Sequence, residues 1–274
     1  MTGKARLCAA AALAAALVAS AAAAGVRVEL KSAPTPPATG KAERYVVWID
    51  GPRLAAQLVR RDGGPPTRRI VFRSAEDVVW LVDTKRQTYY QLDPASAQQI
   101  ASQVGGLRQG LESGLESLSP EQREAVRELL GELAKPPAGP APEYRLRERG
   151  ELARYAEIAC ARHDVLEGER PVAELCLADY GKPPLTRERL AALPALGGFL
   201  QRTLEPLLRE FPSLRPLAPL STLSRVDGVP LLVRSGDEGE SRDTVVTSIS
   251  EAPVDGALFE LPAGYARSWI PPFR

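Results

Sequence analysis

Short apolar runs separated by turn residues occupy the chain between residues 26 and 92. The runs are rich in Val, Ile, Trp and Tyr, which favour β-strands. Segments such as Asp50-Gly51-Pro52 have the chemistry of tight turns. Because parallel strands need long crossovers, these short connections predict an antiparallel meander. The predicted strands are Val26–Lys31, Arg44–Asp50, Leu54–Arg60, Ile70–Arg73, Val78–Val82 and Thr88–Leu92, with a Pro-rich loop over residues 32–40.

The apolar period changes after residue 100, where large apolar residues recur every three or four positions. This spacing is typical of one face of an amphipathic helix. Glycines at positions 106, 110 and 114 each cost up to about 1 kcal/mol in a helix interior, so this helix must depend on packing. The recurring residues are Ile100, Val104, Leu107, Leu111, Leu115 and Leu118. We expect Leu107, Leu111 and Leu115 to face the concave side of the sheet.

A second helix is indicated by Ser119 as N-cap, Pro120 at the first helical position and Gln122, which completes a capping box. A third helical stretch is predicted over Thr186–Phe211, where Pro194 and Pro206 should kink or break it. The remaining predicted strands are Tyr144–Arg149, Tyr155–Leu166, Arg170–Ala178, Pro230–Ser235 and Thr244–Ser250.

Two cysteines lie in adjacent predicted strands joined by a turn at residues 167–169. If Leu166 faces Arg170, Cys160 lies directly opposite Cys176, and the polar face of the hairpin can hold a disulfide. A glycine-bulge turn would make the cysteines diagonal on one face. A two-residue turn would place them on opposite faces and forbid the bond.

The first 24 residues have the three parts of a secretory signal peptide. Lys4 and Arg6 precede an apolar run, Leu7–Val18, and Ala22–Ala24 offers small residues for cleavage near Ala24. A lipoprotein signal has small residues directly before its cysteine, whereas Arg6 and Leu7 precede Cys8 here. We therefore do not expect lipidation. We therefore expect an exported, non-lipidated protein in the periplasm, where a pair of cysteines forms a disulfide by default.

Composition limits the possible functions. Removal of the signal peptide leaves 33 of the 35 Lys and Arg residues against 34 Asp and Glu, a net charge of about −1. A nucleic-acid-binding protein would show a basic excess. No later segment is apolar enough to span a bilayer. We expect residues 25–274 to form one soluble, monomeric domain.

Several short motifs are similar to those of a family of exported bacterial proteins of unknown function. They are Cys176-Leu177-Ala178, Gly228-Val229-Pro230 and the closing run Phe259–Tyr265 (FELPAGY). The chain also resembles the LolA-like and LppX-like lipoprotein-carrier superfamily. That resemblance implies an α+β fold, in which a curved antiparallel sheet forms an open half-barrel with helices covering its concave face. It also implies a hydrophobic ligand held between the sheet and the helices.

The chain shows no catalytic motif, and we expect neither enzymatic activity, nor a cofactor, nor a metal site. His163 is the single histidine, and adjacent strand residues such as His163 and Asp164 point to opposite faces. We expect a binding protein for a lipid or acyl chain. The alternative is an envelope interaction protein with a filled core. The predicted ligand cleft consists of Trp48, Trp80, Tyr89, Leu107, Leu111 and Leu115.

Overall fold

A computed structural model describes residues 24–36, 39–116, 118–130, 143–181, 183–235 and 241–269. The predicted signal peptide lies outside these residues, apart from Ala24, which begins the first strand. Cleavage near Ala24 therefore stays a prediction.

The described residues form one twelve-stranded sheet, in the order β12-β6-β5-β4-β3-β2-β1-β11-β10-β9-β8-β7. Neighbouring strands are antiparallel, except that β12 runs parallel to β6. The sheet is curved and is not closed into a barrel, so the predicted α+β half-barrel is confirmed. The strands are β1 Ala24–Pro34, β2 Glu43–Asp50, β3 Arg53–Leu58, β4 Arg68–Arg73, β5 Val78–Asp83, β6 Thr88–Leu92, β7 Tyr144–Tyr155, β8 Ile158–Glu167, β9 Arg170–Ala178, β10 Val229–Ser235, β11 Arg242–Pro253 and β12 Ala266–Arg267.

The meander from β1 to β6 agrees with the prediction, but the loop predicted over residues 32–40 begins later. Ser32, Ala33 and Pro34 continue β1 and pair with residues 242–244 of β11. Pro34 lies at the end of the strand, where a missing N–H costs little. The strand therefore extends because β11 offers it a partner.

Two helices begin at reciprocal caps. In α1, Pro94–Glu116, Asp93 Oδ1 accepts from Ser96 N at 2.8 Å and Ser96 Oγ accepts from Asp93 N at 3.0 Å. In α2, Pro120–Leu130, the predicted capping box is confirmed, since Ser119 and Gln122 exchange bonds of 3.0 and 3.3 Å. Such caps satisfy backbone N–H groups that have no partner within the helix.

The third helix, α3, spans Ala192–Glu210, so it begins later than the predicted Thr186. It continues through Pro206, so the proline does not break it, while a kink there stays a prediction. Leu204, Leu207 and Leu208 are all buried on either side of the proline, and their packing maintains the helix where one backbone hydrogen bond is lost. A 3-10 segment, Pro212–Ser224, follows α3 and packs against it.

The main core lies between α3 and one face of the sheet, which we call the inner face. A row of cross-strand partners, Val26, Ile49, Leu54, Phe72 and Val79, runs across this face. Their side chains join one hydrophobic cluster with Leu190, Ala192 and Phe199 of the helical layer. The rings of Phe72 and Phe199 are 5.5 Å apart.

The Cys160–Cys176 disulfide is confirmed, with a Cα–Cα distance of 5.4 Å, but its predicted register is wrong. Glu167 pairs with Arg170 across a two-residue turn, and a bulge at Val172 then shifts the register. The bulge restores the parity that such a turn alone would destroy, so the cysteines lie diagonally on one face. Both cysteines share the predicted face with Arg162 and Glu174, but they are buried in the main cluster.

Candidate functional site

The helical cover is built differently from the prediction. Helix α3 packs on the inner face of the sheet, whereas α1 packs mainly on α3. The physical reason is side-chain size. Helix α3 presents Phe199 and several leucines to the sheet, while α1 presents Ala97 and Ala101 to Leu207 of α3. Burying the larger side chains removes more apolar area from water.

Four residues of α1 are buried: Ala97, Ala101, Arg108 and Leu115. With 100° per residue, Ile100, Val104, Leu107 and Leu111 lie on one side of this buried line. We call these four residues the apolar flank of α1. Three of them are half-buried, and Leu107 is 53% exposed. The expectation that Leu107 faces the sheet is therefore wrong.

A buried ion pair joins the two helices. A guanidinium nitrogen of Arg108 bonds the carboxylate of Glu210, and Nη2 of Arg108 donates to the backbone carbonyl of Glu210 at 2.9 Å. The two side chains are 4% and 11% exposed. Because burying two charges costs solvation energy, such a pair adds little stability by itself, whereas removing one partner leaves an uncompensated buried charge.

A groove of about 550 Å³ opens between α1 and α3. On α1 it is lined by small and polar residues that include Ser102 and Gly105, and on α3 by charged residues that include Arg202 and Arg209. It lies on the side of α1 away from the apolar flank. The groove is therefore a polar, solvent-facing feature, and an acyl chain would find little apolar surface in it.

The structure does not bring the six predicted cleft residues together. Trp48 and Trp80 belong to a cross-strand row with Ala55 and Val71, on the opposite face of the sheet from α3. We call this the outer face. Tyr89 pairs with Val82, two residues after Trp80, and shares that face. Leu107, Leu111 and Leu115 lie on α1, on the side of the sheet that α3 covers.

The outer face is covered by the segment Asp255–Glu260. Phe259 is fully buried between Trp48 and Trp80, and the Arg53 guanidinium lies 4.8 Å from the centre of its ring. Arg69 donates to the carbonyl oxygens of Ala257 and Glu260 at 3.3 and 2.9 Å. The aromatic residues predicted for a cleft therefore anchor the C-terminal part of the chain.

A charged row crosses five strands and was not predicted. Arg147, Asp164, Glu174, Arg234 and Asp243 are successive cross-strand partners from β7 to β11. The side chains of Asp164 and Glu174 are only 5% and 7% exposed. Sequence offers one signal, the arginines at alternate positions of β7, but only the strand order reveals their partners.

Hydrogen bonds from arginines lower the pKa of two carboxylates of this row, Asp164 and Asp243. Burial alone raises the pKa of Asp164, but bonds from Arg147 and Arg149, at 2.8 and 2.7 Å, outweigh it and the pKa is lowered. Two bonds of 2.7 Å from Arg234 lower the pKa of Asp243. Asp164 and Asp243 are thus each held by arginine side chains of the same row or of its neighbour Arg149.

Other candidates have ordinary structural partners. His163 Nδ1 lies 3.0 Å from the carbonyl oxygen of Ala161 and the residue pairs with Leu175 of β9. Among the residues that the structure describes, no three His, Cys, Asp or Glu side chains could hold a metal ion together. Within the same residues, no helix has the length and apolar character to span a bilayer.

No protein-family model and no curated protein matches the sequence. Solved structures with a similar course of the chain include an uncharacterized conserved protein from Thermus thermophilus. It has a TM-score of 0.42 at 10% identity, and the match covers 90% of each chain. A LolA superfamily protein from Nitrosomonas europaea has a TM-score of 0.33 at 9% identity, with 86% of this chain and 88% of that chain covered.

The MucA/MucB complex of Pseudomonas aeruginosa is also matched, with a TM-score of 0.35 at 12% identity. The match covers 87% of this chain but only 56% of that one. A LolA superfamily protein, the resemblance predicted from the sequence, is thus among the matched structures, at low identity and with a TM-score below 0.5. What this chain binds must be decided from its own residues.

Proposed function

We propose that this chain is a non-catalytic binding protein of the cell envelope that binds an acyl chain or lipid on the apolar flank of α1. One observation carries the proposal: Leu107, on this flank, remains 53% exposed. The other three residues of the flank are half-buried, so the flank offers a partly exposed apolar surface whose burial by a hydrophobic ligand is favourable.

The packing of α1 supports the same proposal. Helix α1 buries Ala97 and Ala101 against α3, so moving it exposes less apolar area than moving α3 would. A ligand that enters beside Leu107 and Leu111 leaves the inner-face core intact. Of the predicted cleft, we retain Leu107 and Leu111, which lie on the apolar flank, as ligand-binding residues, whereas Leu115 is already buried within the protein.

Ligand binding is tested on protein purified from the periplasm without detergent. Native mass spectrometry before and after organic extraction should reveal a bound lipid. Refilling the extracted protein with a fluorescent fatty acid then compares Leu107→Asp with Leu152→Asp, a matched change at a leucine that is 80% exposed on β7. Loss of one buried leucine contact weakens binding by about tenfold or more.

We expect that loss in Leu107→Asp alone. Equal affinity in both variants would place the ligand elsewhere, and failure of the wild type to bind would refute the proposal. Export is tested separately, by N-terminal sequencing of the periplasmic protein. A chain that still begins at Met1 would contradict cleavage near Ala24.

A second function is favoured by the filled core. Phe199 and Leu190 are fully buried, and Phe199 packs on Phe72 of the sheet, which leaves no room for an acyl chain between them. An envelope interaction protein would need such a rigid core but no internal ligand. The absence of any extractable lipid, with normal folding, is its expected result.

A further inference from the structure

The two edges of the sheet differ in whether another described segment pairs with them. Strand β6 is covered by the C-terminal segment, since Ala266 N donates to Gln87 O at 3.0 Å and Ser268 N donates to Tyr89 O at 2.7 Å. Strand β7 ends the sheet at the other side, and no described strand pairs with its outer edge. An exposed strand edge offers unpaired backbone groups to another chain.

Strand β7 is long for such an edge, with twelve residues, and a bulge divides it between Glu148 and Leu152. A bulge twists the edge and hinders pairing. The regular part, Tyr144–Glu148, keeps continuous register with residues 163–167 of β8. This five-residue edge can accept another strand.

The two faces of this edge differ in chemistry. Tyr144 and Leu146 are half-buried and extend the apolar cluster formed by Val165 and Leu175. Arg145 and Arg147 alternate with them; they bond Glu169 at 3.1 Å and Asp164 at 2.8 Å, and their side chains are still 63% and 54% exposed. Because strand side chains alternate, an added strand would place every second residue over the cluster and the others beside the arginines.

We propose that the edge Tyr144–Glu148 binds, by β-strand addition, an extended segment of a partner protein in which acidic and apolar residues alternate. The arginines would attract the acidic residues of this segment, and the apolar cluster would contact its apolar residues. A second copy of this chain is disfavoured. Antiparallel pairing of two such edges about Leu146 would place Arg145 opposite Arg147, and like charges directly opposite are destabilising.

This surface is independent of the ligand site on α1, so either proposal can fail alone. The probe is a seven-residue peptide of alternating Glu and Val, and its control alternates Lys and Val. The variant is Arg145→Glu. The matched control is Arg154→Glu, an exposed β7 arginine beyond the bulge whose described side-chain bond is to Glu157 O. Thermal melts establish that both variants fold.

Fluorescence anisotropy on the full chain should show binding of the Glu–Val peptide and at least tenfold weaker binding of the Lys–Val peptide. Arg145→Glu should weaken the Glu–Val peptide about tenfold, while Arg154→Glu changes it less than about threefold. Hydrogen exchange should show new protection confined to the Tyr144–Glu148 edge.

Three results would overturn the proposal. The first is no binding of the Glu–Val peptide at millimolar concentration. The second is protection at the β6 edge or at α1 instead of β7. The third is binding to vesicles of anionic phospholipid that depends on Arg145 when the peptide does not bind, which would make this edge a membrane contact.

Discussion

The buried pair between Arg108 and Glu210 allows a quantitative test of how α1 is held. Replacing Arg108 with Met removes the guanidinium and leaves the Glu210 carboxylate buried, with its side chain only 11% exposed. Breaking a buried pair on one side costs about 3–5 kcal/mol, because a charge remains without compensation. Glu210 also borders the open groove, so we expect the lower value, about 3 kcal/mol.

Replacing both residues with Met should cost far less than the sum of the single changes. Two apolar side chains of suitable size often replace a buried pair at little cost. The carbonyl of Glu210 loses the donor that lies 2.9 Å away, which adds about 1 kcal/mol. We therefore expect the double variant to lose no more than about 2 kcal/mol.

Urea unfolding of the wild type, both single variants and the double variant forms a double-mutant cycle. If the free energy of unfolding falls with the same slope against urea concentration in all four proteins, their free energies can be compared directly. If Arg108→Met costs less than about 1 kcal/mol, or if the two single losses simply add, the pair does not hold α1 on α3.

Three further predictions concern the sheet. Glu157→Gly should raise the free energy of unfolding in urea by about 1 kcal/mol, because Glu157 has a φ of 62°, which costs energy for any residue but glycine. A lower free energy of unfolding would show that the glutamate side chain contributes to stability there. Replacing Cys160 and Cys176 with Ala should lower it by about 3 kcal/mol, since their bond spans 16 positions of sequence, and an unchanged melting temperature would contradict this. Asp164 has a lowered pKa in the folded protein, so its stabilisation is present above about pH 4 and is lost as pH falls through the folded pKa. The melting temperature of Asp164→Asn should therefore fall less between about pH 6 and pH 3 than that of the wild type. An equal fall in both proteins would refute the stabilising role of the ionised Asp164.

Local patterns were sufficient to predict the meander, since strand composition and turn residues such as Asp50-Gly51-Pro52 act over a few positions. The capping box at Ser119 was predictable for the same reason. The β7–β8 turn was not, because Ala156 and Glu157 both adopt positive φ, which sequence reasoning expects of Asn or Gly. The predicted strand boundaries at Arg149 and Tyr155 are accordingly displaced.

The candidate site was harder to predict because it depends on which helix reaches the sheet. The leucine spacing correctly predicted a helix from Ile100 through Leu115, although Leu118 lies beyond its end at Glu116, but spacing does not reveal that Arg108 lies on the buried line. That position follows from Glu210, on another helix. Likewise, Trp48 and Trp80 are ordinary strand residues by pattern, and the sequence does not reveal that Phe259 covers the face of the sheet on which they lie.

The central position of β1 has a consequence for the order in which this protein can fold. All eleven residues of β1 pair with β11, and Thr35 just beyond it donates to Asp243, 208 positions later in the chain. Strands β2–β6 and β7–β10 are therefore joined into one sheet only when β11 is available. During synthesis from the N-terminus, one side of β1 stays unpaired until β11 has been made. Pairing between strands so far apart in the sequence is slow. Because the segment Asp255–Glu260 and β12 still follow it, β11 is needed to join the two halves of the sheet rather than to complete the fold. Truncation before residue 242 should therefore leave two separate incomplete sheets.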